Sequence, residues 1–334
     1  MADEYRSVHV RADKYSRLFP GVFQGGLYTI ERILKNWILL GLLLLAVSTR
    51  AQGQLSYETN DGAITITGYT GGGALTIPTN INGFTVTSIA PGAFSGSSLT
   101  SITMGDSITS IGEGAFEYSA LTSIVIPGSV IDIGSDAFTE CTSLTNAVLA
   151  NGVTGVGVDM FASCETLASV TIPNSVRSIG QYAFESCSSL TNIVIPASVS
   201  HIGAYAFEEC SSLASVFFGG NAPSDGSSAF GLDDIATVFY LPGSKGWTNF
   251  TDPPAVLWNP LIQTNGANFG VVSNQFGFNI TGTANIPIAV EECTNLASPV
   301  WISLATMTLT NGLVYFSDCQ WTNAAAQFYR ISSP

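Results

Sequence analysis

Seven phenylalanines, Phe94, Phe116, Phe138, Phe161, Phe184, Phe207 and Phe230, follow one another at steps of 22 or 23 residues. The column Leu99, Leu121, Leu144, Leu167, Leu190 and Leu213 keeps the same period, and Ile-Pro pairs begin at Ile77, Ile126, Ile172 and Ile195. Three columns in one period define a tandem array. A unit of this length cannot bury both of its sides alone, so repeats of about 20 to 45 residues stack into solenoids in which each covers the next.

One unit reads LTxIxIPxSVxxIGxxAFxxCxx. In LTNIVIP, Leu190, Ile193 and Ile195 are apolar while Asn192 and Val194 alternate with the last two, the period of a short half-buried strand. Pro196 lacks the N–H that a ladder needs and closes the strand. Val199 and Ile202 return to the core, Gly203 permits a tight bend, and Phe207 inserts a ring beneath the next turn. The chain is 46% hydrophobic and only 10% charged, with abundant Gly, a mixture suited to many short strands and turns.

The phrase IPxSVxxIGxxAFxxCxxLTxI resembles the BspA-like class of bacterial leucine-rich repeats over about residues 75 to 242. The resemblance implies a curved solenoid of parallel strands, and for function it implies adhesion, the binding of a protein or polysaccharide by the solenoid face. The expected organisation is an N-terminal cap over 52–74, containing Tyr57, Ile64 and Ile66, and a solenoid with its own C-terminal cap over 75–250. A linker over 251–260 and a small antiparallel β-sandwich of five or six strands over 261–334 complete it. The tail carries VEECTNL, Trp301, LTNG, YFSD and FYR in that order, and resembles a C-terminal module of secreted proteins of environmental bacteria. Its place at the end of the chain fits sorting or surface attachment, with a plain packing domain as the alternative.

Residues 1–51 read as a secretory signal with an extended lead-in. Arg32 and Lys35 precede an apolar run from Trp37 to Val47, and cleavage after Ala51 satisfies the small-residue rule. That run is too short for a hydrocarbon layer of about 30 Å. The expected location is therefore outside the cell or on its surface, without a membrane span once the signal is removed, as a monomer. After Ala51 only Arg177, Lys245 and Arg330 stand against twenty acidic residues, a net charge of −17. Such a field repels phosphate backbones and excludes a nucleic-acid partner.

Cys141, Cys164, Cys187 and Cys210 recur every 23 residues, each in a unit with one residue more between Phe and Leu than the two units before them. The column is expected to fill an inward bulge made by that extra residue, as buried free thiols acting as small hydrophobes. Rungs about 4.8 Å apart and an oxidising compartment leave a disulfide between neighbours open, although side chains stacked in register point in parallel. A metal is disfavoured, because there is no CxxC and no histidine partner. Cys293 and Cys319, alone in the tail, form a possible disulfide.

Catalytic chemistry finds no foothold. His201 occupies a slot filled by Ser110, Asp132, Gly155 and Ser178 elsewhere, which reads as a solvated turn, and no hydrolase elbow, zincin, P-loop or EF-hand motif occurs. No catalytic residue, cofactor or metal is expected, and the chain reads as a non-enzyme. Glu117, Glu140, Glu165, Glu185, Glu208 and Glu209 should form an acidic ridge without the convergent oxygen cage that calcium needs. The candidate binding face is the outward column of the strands: Thr103, Val125, Val148, Thr171, Val194, Phe217 and Phe239. The polar residues Ser101, Ser123, Asn146, Ser169, Asn192 and Ser215 flank it. Its aromatic end has a second reading, burial of Phe217 and Phe239 beneath the last domain. Exposure would favour binding, and coverage would favour a structural or envelope-associated spacer.

Overall fold

The computed structural model describes residues 54–224, 226–231, 236–250, 253–322 and 326–333, and the leader expected over 1–51 lies outside them. The fold is mainly β, a parallel solenoid followed by antiparallel sheets. Most coils contribute two strands. The longer ones, from Gly73–Thr76 through Ser123–Ile126 and Asn192–Ile195 to Thr237–Tyr240, lie side by side in parallel. Their register repeats the sequence period, pairing Val125 with Val148 and Val194 with Phe217. A second ladder of two-residue strands, from Ser110–Ile111 to His201–Ile202, closes another side of the coil.

The core between them is built by stacking identical residues. The seven Phe rings lie at successive centroid separations of 5.0 to 5.6 Å with interplanar angles of 1° to 16°, and six of them are fully buried. Parallel rings on that spacing match the offset-stacked arrangement that aromatic quadrupoles favour. Threonine hydroxyls tie rung to rung from outside: Thr122 Oγ1 donates to Thr100 O at 3.1 Å and Thr145 Oγ1 to Thr122 O at 2.9 Å.

Two backbone devices turn each coil. The residues two before and two after each of the first six core Phe have positive φ, Gly92 and Gly96, Gly114 and Tyr118, Asp136 and Glu140, Asp159 and Ser163, Tyr182 and Ser186, Tyr205 and Glu209. The glycine of the Ile-Gly pair plays a different part. Gly203 is not at positive φ. A Cβ there would meet Gln181 N at 2.4 Å, and one at Gly134 would meet Glu113 N at 2.4 Å. Close approach of successive backbones, rather than the tight bend expected from sequence, is what requires glycine there.

The front of the core is covered by an antiparallel hairpin, Leu55–Asn60 with Ala63–Tyr69, whose Ile64 and Ile66 are buried. The second of these strands pairs in parallel with Phe84–Ile89. At the back, Trp247 packs on Phe218 at 4.9 Å and on Tyr240 at 5.2 Å, and Phe250 lies edge-on to Phe230. The expected linker contains a rung of the solenoid instead, because Ala255–Leu257 pairs in parallel with Thr237–Tyr240. Beyond it seven strands form two antiparallel sheets. Five of these lie in runs rich in β-branched and aromatic residues, FGFNITG, IPIAVEEC, WISLATMTL, LVYFSD and QFYRISS, and Leu261–Gln263 and Gly270–Val272 take the number past the five or six expected. Their inward residues Phe278, Ile280, Ile286, Ile288, Val290 and Phe316 make the core of this region.

Candidate functional site

The outward column divides in two. Thr103, Val125, Thr171 and Val194 are exposed, Val125 at 56% and Val194 at 47%, and Val148 is half-buried. Their strand neighbours Ile124, Ile126, Ile193 and Ile195 are fully buried, so alternation along each strand sets the two faces. Five rungs separated by about 4.8 Å give an open strip about 19 Å long. Ser123, Ser169 and Asn192 are exposed beside it, and Ser101 and Asn146 half-buried.

Phe217 and Phe239 do not continue this strip. They retain only 5% and 3% exposure, and they pack in one cluster with Phe278, Ile280, Ile288 and Phe316 of the C-terminal sheets. The two rings stack at 4.9 Å, Trp258 stands edge-on to Phe217 at 6.0 Å, and Trp258 Nε1 donates to Pro287 O at 2.8 Å. Asn259 Oδ1 accepts from Thr283 N and Oγ1, each at 2.7 Å. The last rungs of the solenoid and the C-terminal sheets thus share a core. Where the strip meets it, Val194, Leu241, Trp258 and Ile331 line an apolar recess of about 220 Å³.

The cysteine column is buried, and no disulfide joins its members. Cys141 Sγ donates to Phe116 O at 3.0 Å, and Cys164, Cys187 and Cys210 repeat the contact to Phe138, Phe161 and Phe184 at 3.1 to 3.2 Å. The thiols therefore occupy carbonyls of the preceding rung. Hydrogen bonding with Cys141 and then burial raise Cys164 well above the ordinary thiol range, and burial with the neighbouring Cys210 does the same for Cys187. The same hydrogen bond lowers Cys141, so the upward shift that keeps a thiol protonated belongs to Cys164 and Cys187. The extra residue does not create their position. Ser119 stands three residues after Phe116 as Cys141 does after Phe138, is itself buried, and has its Oγ 3.3 Å from Cys141 Sγ. The insertion falls after the cysteine, at surface positions such as Thr142 and Ser143. Cys293 and Cys319 form no disulfide either, the first buried with its Sγ bonded to Asn295 O at 3.2 Å, the second exposed.

His201 is exposed but lies in a short strand rather than a turn, with Nδ1 3.2 Å from Ser224 Oγ. The acidic ridge reaches further than the glutamates named from sequence. Burial raises the pKa of Glu185, and the charges of Glu208, Asp159 and Glu209 add to it; Asp159 is raised by burial and by Asp136. Asp136 and Asp159 were hidden in sequence because they sit before the Phe rather than after it. Among the described residues no group of three or more His, Cys, Asp or Glu is arranged to hold a metal. No helix among them is long and apolar enough to cross a membrane.

Coils of 22 or 23 residues, a stacked Phe column and two parallel ladders define a leucine-rich-repeat type of solenoid. The BspA type leucine rich repeat region matches in six copies over residues 75–191 and 140–244, together just over half of the chain, and the chain belongs to that family. A leucine rich cell surface protein from Faecalibacterium prausnitzii A2-165 is 31% identical over 51% of this chain and 54% of that one, with a TM-score of 0.39. This chain therefore spans about half of that protein's length. The leucine rich repeat protein of T. pallidum is 28% identical over 59% of this chain and 86% of that one, with a TM-score of 0.38. A leucine-rich repeat protein from Bacteroides ovatus ATCC 8483 is 20% identical over 62% and 75%, with a TM-score of 0.33. No curated protein matches the chain.

Proposed function

We propose that this is an exported, non-enzymatic protein of the bacterial surface that binds a protein or polysaccharide through the strip Thr103, Val125, Val148, Thr171 and Val194. The observation that carries the reading is the exposure of Val125 and Val194 on a sheet whose opposite face is fully buried. Contiguous β-branched positions flanked by short polar side chains offer a partner area with little ordering cost, because such side chains have few rotamers to lose. Family membership and the cell-surface description of the Faecalibacterium protein support location at the surface. The test uses the chain from residue 52 onward, immobilised against cell-surface proteins and polysaccharides. Val125→Asp with Val194→Asp should weaken retention of any specific ligand about tenfold or more, as loss of a central contact does. Retention unchanged by the double substitution refutes the strip.

A second reading is a spacer that positions the C-terminal sheets. It is favoured by the coverage of Phe217 and Phe239, which takes the aromatic end out of any exposed binding face. Under it, no ligand is retained by the strip.

A further inference from the structure

The C-terminal sheets leave one side open. Ile302–Thr308 pairs only with Pro287–Cys293, and Leu313–Asp318 pairs only with Gln275–Thr281 among the described residues. The two strands are consecutive in the chain but belong to different sheets, and residues of both line one slot. Leu304, Met307, Tyr315 and Phe316 line the slot with apolar surface, and Glu292 and Asp318 add two carboxylates. Its volume is about 480 Å³.

The edges differ. Register slips at Leu304 in the first strand, whereas Leu313–Asp318 pairs regularly along its whole length. A regular edge with free N–H and C=O groups is a template for another strand. The carboxylates give the slot its sign. Asp318 is 8% exposed and accepts from Gln320 N at 2.7 Å and Tyr329 Oη at 2.8 Å, while Glu292 accepts from Gln327 Nε2 at 2.6 Å. Burial and then Asp318 and Glu292 push the Tyr329 phenol well above its ordinary range, so both charges act on one spot. All these donors are neutral. The cation of this region, Arg330, is held by Glu291 at 2.6 Å and lies over Trp301 at 4.4 Å. A second copy is a poor occupant, since after residue 51 the other basic residues are Arg177 and Lys245, and neither lies in an apolar strand.

We propose that this slot takes an extended segment of another protein, which adds to the Leu313–Asp318 edge as a β-strand and sets a lysine or arginine against Glu292 and Asp318. Backbone pairing supplies affinity and the slot selects alternating apolar side chains. The probe is the synthetic peptide TVKVTVKV, blocked at both ends, with TVEVTVEV as its control, titrated into the chain from residue 52 onward. The lysine peptide should bind at least about tenfold tighter than the glutamate peptide, a difference of about 1.4 kcal/mol. Glu292→Gln with Asp318→Asn should abolish the preference, and amide exchange should slow at Leu313–Asp318. Where the double variant fails to fold, Glu292→Gln alone must reduce the preference. Equal binding of both peptides overturns the proposal, as does no binding at about 1 mM, a concentration at which an association of about −4 kcal/mol would register. Protection away from the slot, or self-association that excludes the peptide, overturns it equally.

Discussion

The solenoid and the C-terminal sheets are both β-structure, yet they solve opposite problems. Seventeen of the twenty acidic residues after Ala51 lie in residues 52–260, and only Glu291, Glu292 and Asp318 lie beyond. In the solenoid each rung meets a copy of itself, so one residue type per column settles packing from end to end, and the outer edges carry charge. The C-terminal sheets have no repeat to enforce closure. Their edges stay open, and Leu313, Ile302 and Val300 remain exposed on a surface with few charges. Repetition secures a core with little information, whereas the non-repeating region spends its sequence diversity on a shaped junction and an open slot.

The contrast can be broken first at the Phe stack. Phe184→Ala removes a ring held between two others and should cost about 3–5 kcal/mol, read from urea denaturation. Next is the shared core. Phe239→Ser should lower the stability of the C-terminal sheets more than that of the solenoid, giving two calorimetric transitions in place of one. Gly203→Ala places a methyl against Gln181 backbone and should cost about 1–3 kcal/mol, whereas the same change at exposed Gly243 strains only φ. Smaller still is the acidic ridge. Because the folded state raises the pKa of Glu185 and Asp159, it binds their protons more tightly than the unfolded chain does. Stability is therefore greater below the unfolded carboxylate range and falls as pH rises through the raised folded values. Glu185→Gln should raise the melting temperature at pH 7 and make no difference at pH 3. The smallest effect is at Glu140, whose φ of 54° costs a side chain about 1 kcal/mol. Glu140→Gly should be neutral or slightly stabilising, consistent with Gly96 in the same slot.

What could be seen in sequence was whatever recurs. The Phe, Leu and Ile-Pro columns announced the period, the strand and its inward face, because repetition averages away local ambiguity. The left-handed positions two before and two after the first six Phe were not visible. Gly92, Gly96 and Gly114 give way there to Asp, Tyr, Glu and Ser, so no composition signal marks them. The strand Ala255–Leu257 was masked by the prolines before and after it, although its ladder partner has the right register to accept it. The candidate face shows a more general limit. Alternation tells which side chains point away from the solenoid core, but not whether water or another sheet meets them. Val194 and Phe217 occupy the same column one rung apart, and only the packing of the last sheets separates their fates.

Hydroxyl-radical footprinting of the chain from residue 52 onward tests that separation directly, because it reads side-chain access at every position of the column in one experiment. Val125, Val194 and Tyr118 should be oxidised, while Phe217 and Phe239 should be spared despite the high intrinsic reactivity of phenylalanine. Oxidation of Phe217 and Phe239 as readily as Tyr118 would contradict the shared core and return the aromatic end to the binding face.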